Sequence, residues 1–349
     1  MKLVTVPFFI SHQGCPHTCI FCDQRAISGA NGTLPTAGQI TAKIDLWRSA
    51  AGGRSLEIAF FGGTFTALSQ KIQEELLAPL QPLLEAGTLD SVRISTRPDC
   101  IDSGHVAWLA DMGVRTIELG VQSMDDTVLA ASGRGHSAAE SLDAISCIKS
   151  LGLRAGAQLM PGLPGDTPSS SLASLEQVIS AGADFIRIYP TVVLQGTELA
   201  RRYAVGDFTP LSLGRGVSLC KLLLQRAMQA GIPVIRIGLQ ADEGLNAESI
   251  LAGCWHPALG QLVRSQLYAD LVSRFVPPGQ QVTVYCHPAR LSDVVGLKRS
   301  GLQSQTERGV SMRVAPDVTL TREELKVETE GLSIIYSIIN DINYSIHEV

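Results

Sequence analysis

Long apolar runs are missing from this 349-residue chain. No stretch of about 18 uncharged apolar residues occurs, so nothing in it reads as spanning a bilayer. A dominant charge is missing too. The 28 basic and 33 acidic residues leave a formal net charge of -5, which supplies no global field for a tight, non-specific hold on nucleic acid or anionic membrane; only a local basic patch stays open. Cysteine is too sparse for a disulfide scaffold: of eight, Cys15, Cys19 and Cys22 cluster, while Cys100, Cys147, Cys220, Cys254 and Cys286 are scattered. With 45% hydrophobic and 17% charged residues, the composition excludes disorder, collagen and coiled coil. Neither internal repeats nor low-complexity segments occur. Lys2 precedes an apolar run at residues 3–10, but Ser11, His12 and Gln13 follow it rather than a small-residue cleavage site, so no leader is expected. The expected location is the cytoplasm, where thiols stay reduced and can bind metal.

What is present is a rhythm. Short β-branched or apolar runs at residues 4–10, 56–61, 91–96, 116–121, 155–160, 185–189 and 233–237 predict strands. Between them, apolar residues of helical period predict helices over 37–51 (Ile40, Ile44, Trp47), 69–85 (Ile72, Leu76, Leu80, Leu83), 138–151 (Leu142, Ile145, Ile148), 169–181 and 211–230. Alternation of this kind predicts an α/β fold of repeated β/α units on a parallel sheet. The rhythm breaks near residue 275, at Val276-Pro277-Pro278-Gly279. The expected division is a core with its extension over 1–275 and a small region over 276–349, with a strand at 281–286 and the rest, through 312–314 and 332–339, of mixed α/β character.

Polar or glycine-rich segments follow six successive strands: the cysteine cluster, Gly62-Gly63-Thr64-Phe65, Arg97-Pro98-Asp99, Gln122-Ser123, 161–165 (PGLPG) and Pro190-Thr191. In a barrel the carboxyl ends of the strands are where active sites assemble. The first segment, Cys15-Pro-His-Thr-Cys19-Ile-Phe-Cys22, is a C-x3-C-x2-C run. Three thiolates so close in sequence can converge on one [4Fe-4S] cluster and leave its fourth iron open. Zinc is the other reading, with His12 or His17 as fourth ligand, although structural zinc sites usually pair two cysteine knuckles and no second C-x2-C exists here.

With Phe21 in the aromatic position, this loop resembles that of the radical S-adenosylmethionine (radical SAM) enzymes. Residues 117–123 (IELGVQS), Gly133-Arg134-Gly135-His136 and 158–165 (QLMPGLPG) are similar to the branch that holds the elongator catalytic subunit and the oxygen-independent coproporphyrinogen III oxidases. Residues 185–197 (FIRIYPTVVLQGT) and Thr96-Arg97-Pro98-Asp99 resemble the elongator subunit specifically, and the likeness covers roughly residues 5–240. The resemblance implies a partial (β/α)6 TIM-type barrel, a [4Fe-4S] cluster on Cys15, Cys19 and Cys22, and SAM chelated to the open iron. It also implies reductive cleavage of SAM to a 5'-deoxyadenosyl radical that abstracts hydrogen from a substrate. An electron donor such as ferredoxin or flavodoxin is then a partner. Gly62, Gly63 and Thr64 match the glycine motif beside the SAM amino group, and Gln122, Arg134 and Gln158 match positions lining its ribose and carboxylate. Read without the family, Gln122 is a polar residue of the barrel core satisfied by backbone. Ser95 stands where relatives carry Glu.

Cys254-Trp255-His256 places a thiol, an indole and an imidazole together, and Cys254 and His256 are the candidate catalytic groups, as hydrogen donor, proton relay or substrate clamp. A Trp-anchored turn with a capping role is the other reading. The elongator subunit's basic amino-terminal region and acetyltransferase domain are not expected here. Between Arg290 and Arg313 five basic residues face Asp293 and Glu307, a run that either touches RNA or is a solvated face. Substrate identity stays open between an RNA nucleoside such as one in tRNA and a small metabolite. The competing function is a non-catalytic zinc or redox-sensing protein on the same three cysteines.

Overall fold

Six strands carry the framework. The computed structural model describes residues 3–24, 32–239 and 249–349. Its elements begin with β1 (Val4–Phe9), α1 (Ala37–Ala50), β2 (Leu56–Phe61), α2 (Gln70–Leu77), α3 (Gln81–Glu85), β3 (Leu89–Thr96), α4 (Ser103–Asp111), β4 (Val114–Gln122) and α5 (Asp126–Ala131). Next come α6 (Ala138–Ser150), β5 (Arg154–Leu159), α7 (Pro168–Ser180), β6 (Phe185–Ile188), β7 (Val192–Leu194), α8 (Glu198–Ala204), α9 (Leu213–Gln229), β8 (Val234–Ile237) and β9 (Ile250–Gly253). The last are α10 (Leu259–Phe275), β10 (Gln281–Cys286), α11 (Leu291–Val295), α12 (Ser300–Glu307), β11 (Ser311–Pro316), β12 (Glu324–Thr329) and β13 (Leu332–Ser337). Two compact units divide the chain, Met1–Leu211 with Leu239–Gly253, and Ser212–Gly238 with Cys254–Val349. The turn at 276–279 therefore falls inside the second unit.

In the first unit β1 to β6 pair in parallel and in sequence order, the partial (β/α)6 arrangement. One face of each strand is apolar and fully buried: Ile58 and Phe60, Val92 and Ile94, Ile117 and Leu119, Ala155 and Ala157, Ile186 and Ile188. Helices cover that face. Thr36, Ser137 and Thr167 start α1, α6 and α7 with reciprocal capping boxes, which stop each preceding loop at a defined residue. The helix expected over 69–85 is instead broken into α2, a 3-10 turn (Ala78–Leu80) and α3. Pro79 and Pro82 explain the break, since each lacks an amide hydrogen and its ring collides with the preceding turn.

The second unit contains a four-stranded sheet in the order β11-β10-β12-β13, parallel between β10 and β11 and antiparallel elsewhere. Two of its structural ties are Phe275 stacked on Tyr336 at 4.1 Å and Asp270, which takes Lys221 at 2.6 Å and the Tyr344 hydroxyl at 2.7 Å. Two of the five basic residues of the run are consumed internally. Arg290 and Arg264 share Asp293, and Arg308 donates to the carbonyls of Ser273 and Val276. Lys298, Arg299 and Arg313 remain exposed. Among the described residues no helix is long and apolar enough to cross a membrane.

Candidate functional site

The cysteine loop leaves β1 and is clamped from both sides. On one side it interlocks with the loop after β2. The Thr64 amide donates to the Gln13 carbonyl at 2.8 Å, and Gln24 Oε1 accepts the His12 and Gly63 amides, both at 2.6 Å. Gly63 (φ 60°) and Gly14 (φ 73°) lie so close to the opposite backbone that a Cβ on either would overlap a carbonyl oxygen, Gln13 for the first and Thr64 for the second. Thr64, fully buried, brings its hydroxyl to 3.4 Å from Cys15 Sγ.

On the other side the Ile20 amide donates to Ser132 at 3.2 Å and the Ile20 carbonyl accepts the Leu199 amide at 2.8 Å. Phe21 is buried in an apolar cluster with Cys19, Val128, Leu163, Val193 and Leu199. The aromatic position of the motif is thus an anchor that holds the loop down and keeps water from Cys19. Cys15 and Cys22 are half-buried.

Three cysteine sulfurs on one short, partly buried loop are electrostatically uncomfortable as free thiolates. Burial pushes the Cys22 thiol up to about 12, and negative charge on Cys19 and Cys15 adds to the effect. A cationic centre with affinity for sulfur relieves both costs, which is the sense in which the donor set fits an iron-sulfur cluster. Among the described residues no three Cys, His, Asp or Glu side chains are grouped closely enough to hold a metal ion as they stand. A fourth ligand for zinc is not at hand in His12, whose Nε2 accepts the Gln24 amide at 2.9 Å.

Beside the sulfurs the sequence-predicted polar residues come together. Arg134 donates Nη1 to Cys19 Sγ at 3.3 Å and Nη2 to the Gly120 carbonyl. Gln122 Oε1 lies 3.5 Å from Gln158 Nε2. A Cβ on Gly120 would stand 3.0 Å from Gln122 Nε2 and 3.2 Å from Arg134 Nη2, so the missing side chain is what lets amide and guanidinium converge. Gln122 sits in the left-handed region at φ 71°, where the register of β4 against β5 slips. Such a bulge re-aims the side chain at the end of the strand. Arg134 Nε is buried without a hydrogen-bond partner among the described residues, an orphaned donor on the guanidinium that reaches Cys19.

Sequence reasoning missed a second polar layer deeper along the same strands. Arg93 of β3 takes Glu57 of β2 at 2.9 Å and Glu118 of β4 at 2.6 Å, and Arg187 of β6 takes Glu118 at 2.8 Å and donates to Tyr189 Oη at 3.1 Å. Glu57 and Glu118 are buried. Burial opposes the Arg187 cation, yet Glu118 more than offsets this and holds it firmly protonated. The signal was there: β2 and β6 each carry one charge in an otherwise apolar stretch and β3 and β4 carry two each, where strands covered on both faces should be continuously apolar.

The Radical SAM superfamily model matches residues 9–178, and the Radical_SAM C-terminal domain model matches 183–269. This chain belongs to the radical SAM superfamily. It is similar to the tRNA uridine(34) acetyltransferase of Dehalococcoides mccartyi, with 26% identity over 57% of this chain and 51% of that protein. With Elongator complex protein 3 of Saccharomyces cerevisiae it shares 24% identity over 68% of this chain and 52% of that one. The chain thus spans about half the length of these relatives. Among solved structures, Methanocaldococcus infernus Elp3 superposes with a TM-score of 0.63 at 20% identity, covering 97% of this chain and 76% of that chain, which establishes the shared fold.

Radical SAM enzymes work with a [4Fe-4S] cluster and SAM, as expected from the cysteine loop. Cys254 and His256 lie in the second unit of this radical SAM chain. Cys254 is buried against Gly216 of α9, and burial pushes its thiol up to about 12. His256 Nδ1 accepts the Ala258 amide at 3.0 Å and its carbonyl accepts that of Leu259, contacts of a turn that starts α10.

Proposed function

We propose that this chain is a radical SAM enzyme that holds its [4Fe-4S] cluster on Cys15, Cys19 and Cys22 and acts on a uridine nucleoside in tRNA. When bound, the cluster and SAM supply one-electron cleavage of a sulfonium bond and a carbon radical able to take hydrogen from an unactivated position.

The protein's own residues prepare the place. Cys15, Cys19 and Cys22 offer three thiolates from one loop, and that loop is pinned at Thr64 on one side and at Ser132 and Leu199 on the other. Phe21 and its apolar neighbours exclude water from Cys19. Arg134 balances negative charge at Cys19, while Gln122 and Gln158 present amides that both donate and accept, suited to a ribose and an amino acid carboxylate. Gly62, Gly63 and Thr64 shape the adjoining wall. The observation carrying the reading is the convergence of Cys19, Arg134, Gln122 and Gln158 around Gly120, within the segment matched by the superfamily model.

Support for a tRNA nucleoside comes from the relatives, whose names specify uridine 34 of tRNA. An external one-electron donor, a small iron-sulfur or flavin protein, completes the set of partners.

The test is anaerobic. Protein reconstituted with iron and sulfide, reduced and given SAM should release 5'-deoxyadenosine, and Cys19→Ala should abolish both the cluster and the release. An intact four-iron cluster that cleaves no SAM overturns the enzyme reading. For the substrate, nucleosides digested from tRNA after incubation should show a uridine of changed mass; tRNA left unaltered while SAM is cleaved overturns that part alone.

A further inference from the structure

Behind the cysteine loop lies an ion pair to which the proposed chemistry gives no task. Arg97, 3% exposed, follows β3 and grips Asp99 with two bonds, Nε to Oδ1 at 2.9 Å and Nη2 to Oδ2 at 2.8 Å. The same Nη2 reaches the backbone carbonyl of Arg134 at 2.5 Å. Burial opposes the Arg97 cation and Asp99 more than offsets it; burial likewise opposes the Asp99 charge, and Arg97 holds that carboxyl below its ordinary range.

We propose that Arg97 is a positioning residue that sets the reduction potential of the iron-sulfur cluster through Arg134, an inference that rests on Cys19 being a cluster ligand. Arg134 lies between Gly133 (φ 66°) and Gly135 (φ 72°), a backbone with little intrinsic stiffness. Its amide is tied to the Leu129 carbonyl at 3.1 Å, and Arg97 ties its carbonyl from the segment after β3. With both ends of the residue fixed, the guanidinium is delivered to Cys19 Sγ and to the Gly120 carbonyl at once. A planar guanidinium holds a carboxylate with two nitrogens while aiming a further N–H elsewhere, and a lysine ammonium does not reproduce that fork.

The effect on the cluster follows from charge. One electron arrives from an external donor and no bond forms or breaks, so the equilibrium depends on how well the more negative, reduced cluster is stabilised. A hydrogen bond to a ligating sulfur, with a cation behind it, favours the reduced form and raises the potential. Losing Arg97 releases the Arg134 backbone, weakens the bond to Cys19 and makes the cluster harder to reduce.

The experiment uses the full chain, reconstituted anaerobically, with iron and sulfide counted and the reduced cluster followed by electron paramagnetic resonance in a mediated redox titration. Arg97→Lys is compared with the double variant Arg97→Gln with Asp99→Asn, which leaves no lone buried charge. Both should load four irons. At a fixed potential the oxidised-to-reduced ratio of the double variant should rise about tenfold, equal to a fall of about 59 mV for one electron, with Arg97→Lys in between. Variants that load four irons and titrate together with the wild type overturn the proposal while leaving the cluster assignment intact. Wild-type protein that takes up no cluster overturns both. If the double variant fails to fold, the lysine variant alone decides.

Discussion

Gly63 faces Gln13 so closely that no side chain fits between them. A Cβ at residue 63 would overlap the Gln13 carbonyl oxygen and come within 2.5 Å of the Ile10 carbonyl. Gly52 has the same φ of 60° with nothing near its missing side chain, so it isolates the cost of the dihedral alone. We expect Gly52→Ala to lower stability by about 1 kcal/mol and Gly63→Ala by about 2 kcal/mol more. The Gly63 variant should also lose iron loading, because the loop bearing Cys15 has to move. Equal losses in urea unfolding, with iron content preserved, would contradict the interlock.

The second expectation concerns Gln122, whose φ of 71° strains any residue with a Cβ. Gln122→Gly relieves that strain and Gln122→Ala retains it, although both delete the amide. The glycine variant should be the more stable of the two by about 1 kcal/mol. Both should bind SAM more weakly by equilibrium dialysis with the reconstituted protein. Unchanged SAM affinity in both would remove Gln122 from the binding site.

Glu118 serves two arginines, so its loss leaves charge stranded. Arg93 keeps Glu57 as a second partner, whereas Arg187 keeps no anion among the described residues, just the Tyr189 hydroxyl and the face of Phe61. Glu118→Gln should cost about 3–5 kcal/mol. The double variant Glu118→Leu with Arg187→Met should be less damaging than the single change, since it removes the pair together. Denaturation curves of the single and double variants decide this, and a double variant worse than the single would argue against a stranded charge.

His136 supplies a prediction in pH. It is buried near Arg134 and Arg97, and burial first, then those two cations, lower its pKa from 6.5 to about 4. The unfolded chain therefore binds a proton at this residue between these values while the folded chain does not. Stability from neutral His136 is fully present above pH 6.5 and is lost as pH falls toward 4, by at most about 3 kcal/mol. Relative to His136→Gln, which cannot titrate, the wild type should lose that much between pH 7 and pH 4 in urea unfolding. Parallel pH profiles would sink the assignment.

Much of the framework was legible because strand and helix periods are local. The strands expected at 56–61 and 281–286 form with those bounds, and the others shift by a few residues at their ends. Prolines inside an apolar helical pattern were underweighted, so 69–85 was read as continuous. The helices α4 and α10 were not anticipated, and β12, whose regular alternation offers only Leu325 and Val327 as apolar positions among Glu324, Lys326 and Glu328, was missed. At the site, the cysteines, Arg134, Gln122 and Gln158 could be named in advance. Their mutual contacts could not, because Cys19 and Arg134 are 115 residues apart and meet only through the order of the sheet. Arg97 and Asp99 were visible as a motif without a task, since the object of Arg97 is a backbone carbonyl, and any residue has one of those.

The charged layer of Glu57, Arg93, Glu118 and Arg187 has a consequence for depth. Two acids and two bases cancel, so this level of the sheet's inner face neither pulls anions inward nor pushes them out. Closely paired and largely buried, it acts as a floor. Residues alternate to the same face about 7 Å apart along a strand, so Ala59 and Phe61 of β2, Ser95 of β3 and Gly120 and Gln122 of β4 lie between this floor and the carboxyl ends. Charge near the strand ends is therefore set above the floor, by Arg134 and the cysteine loop, and not by the four residues of the layer.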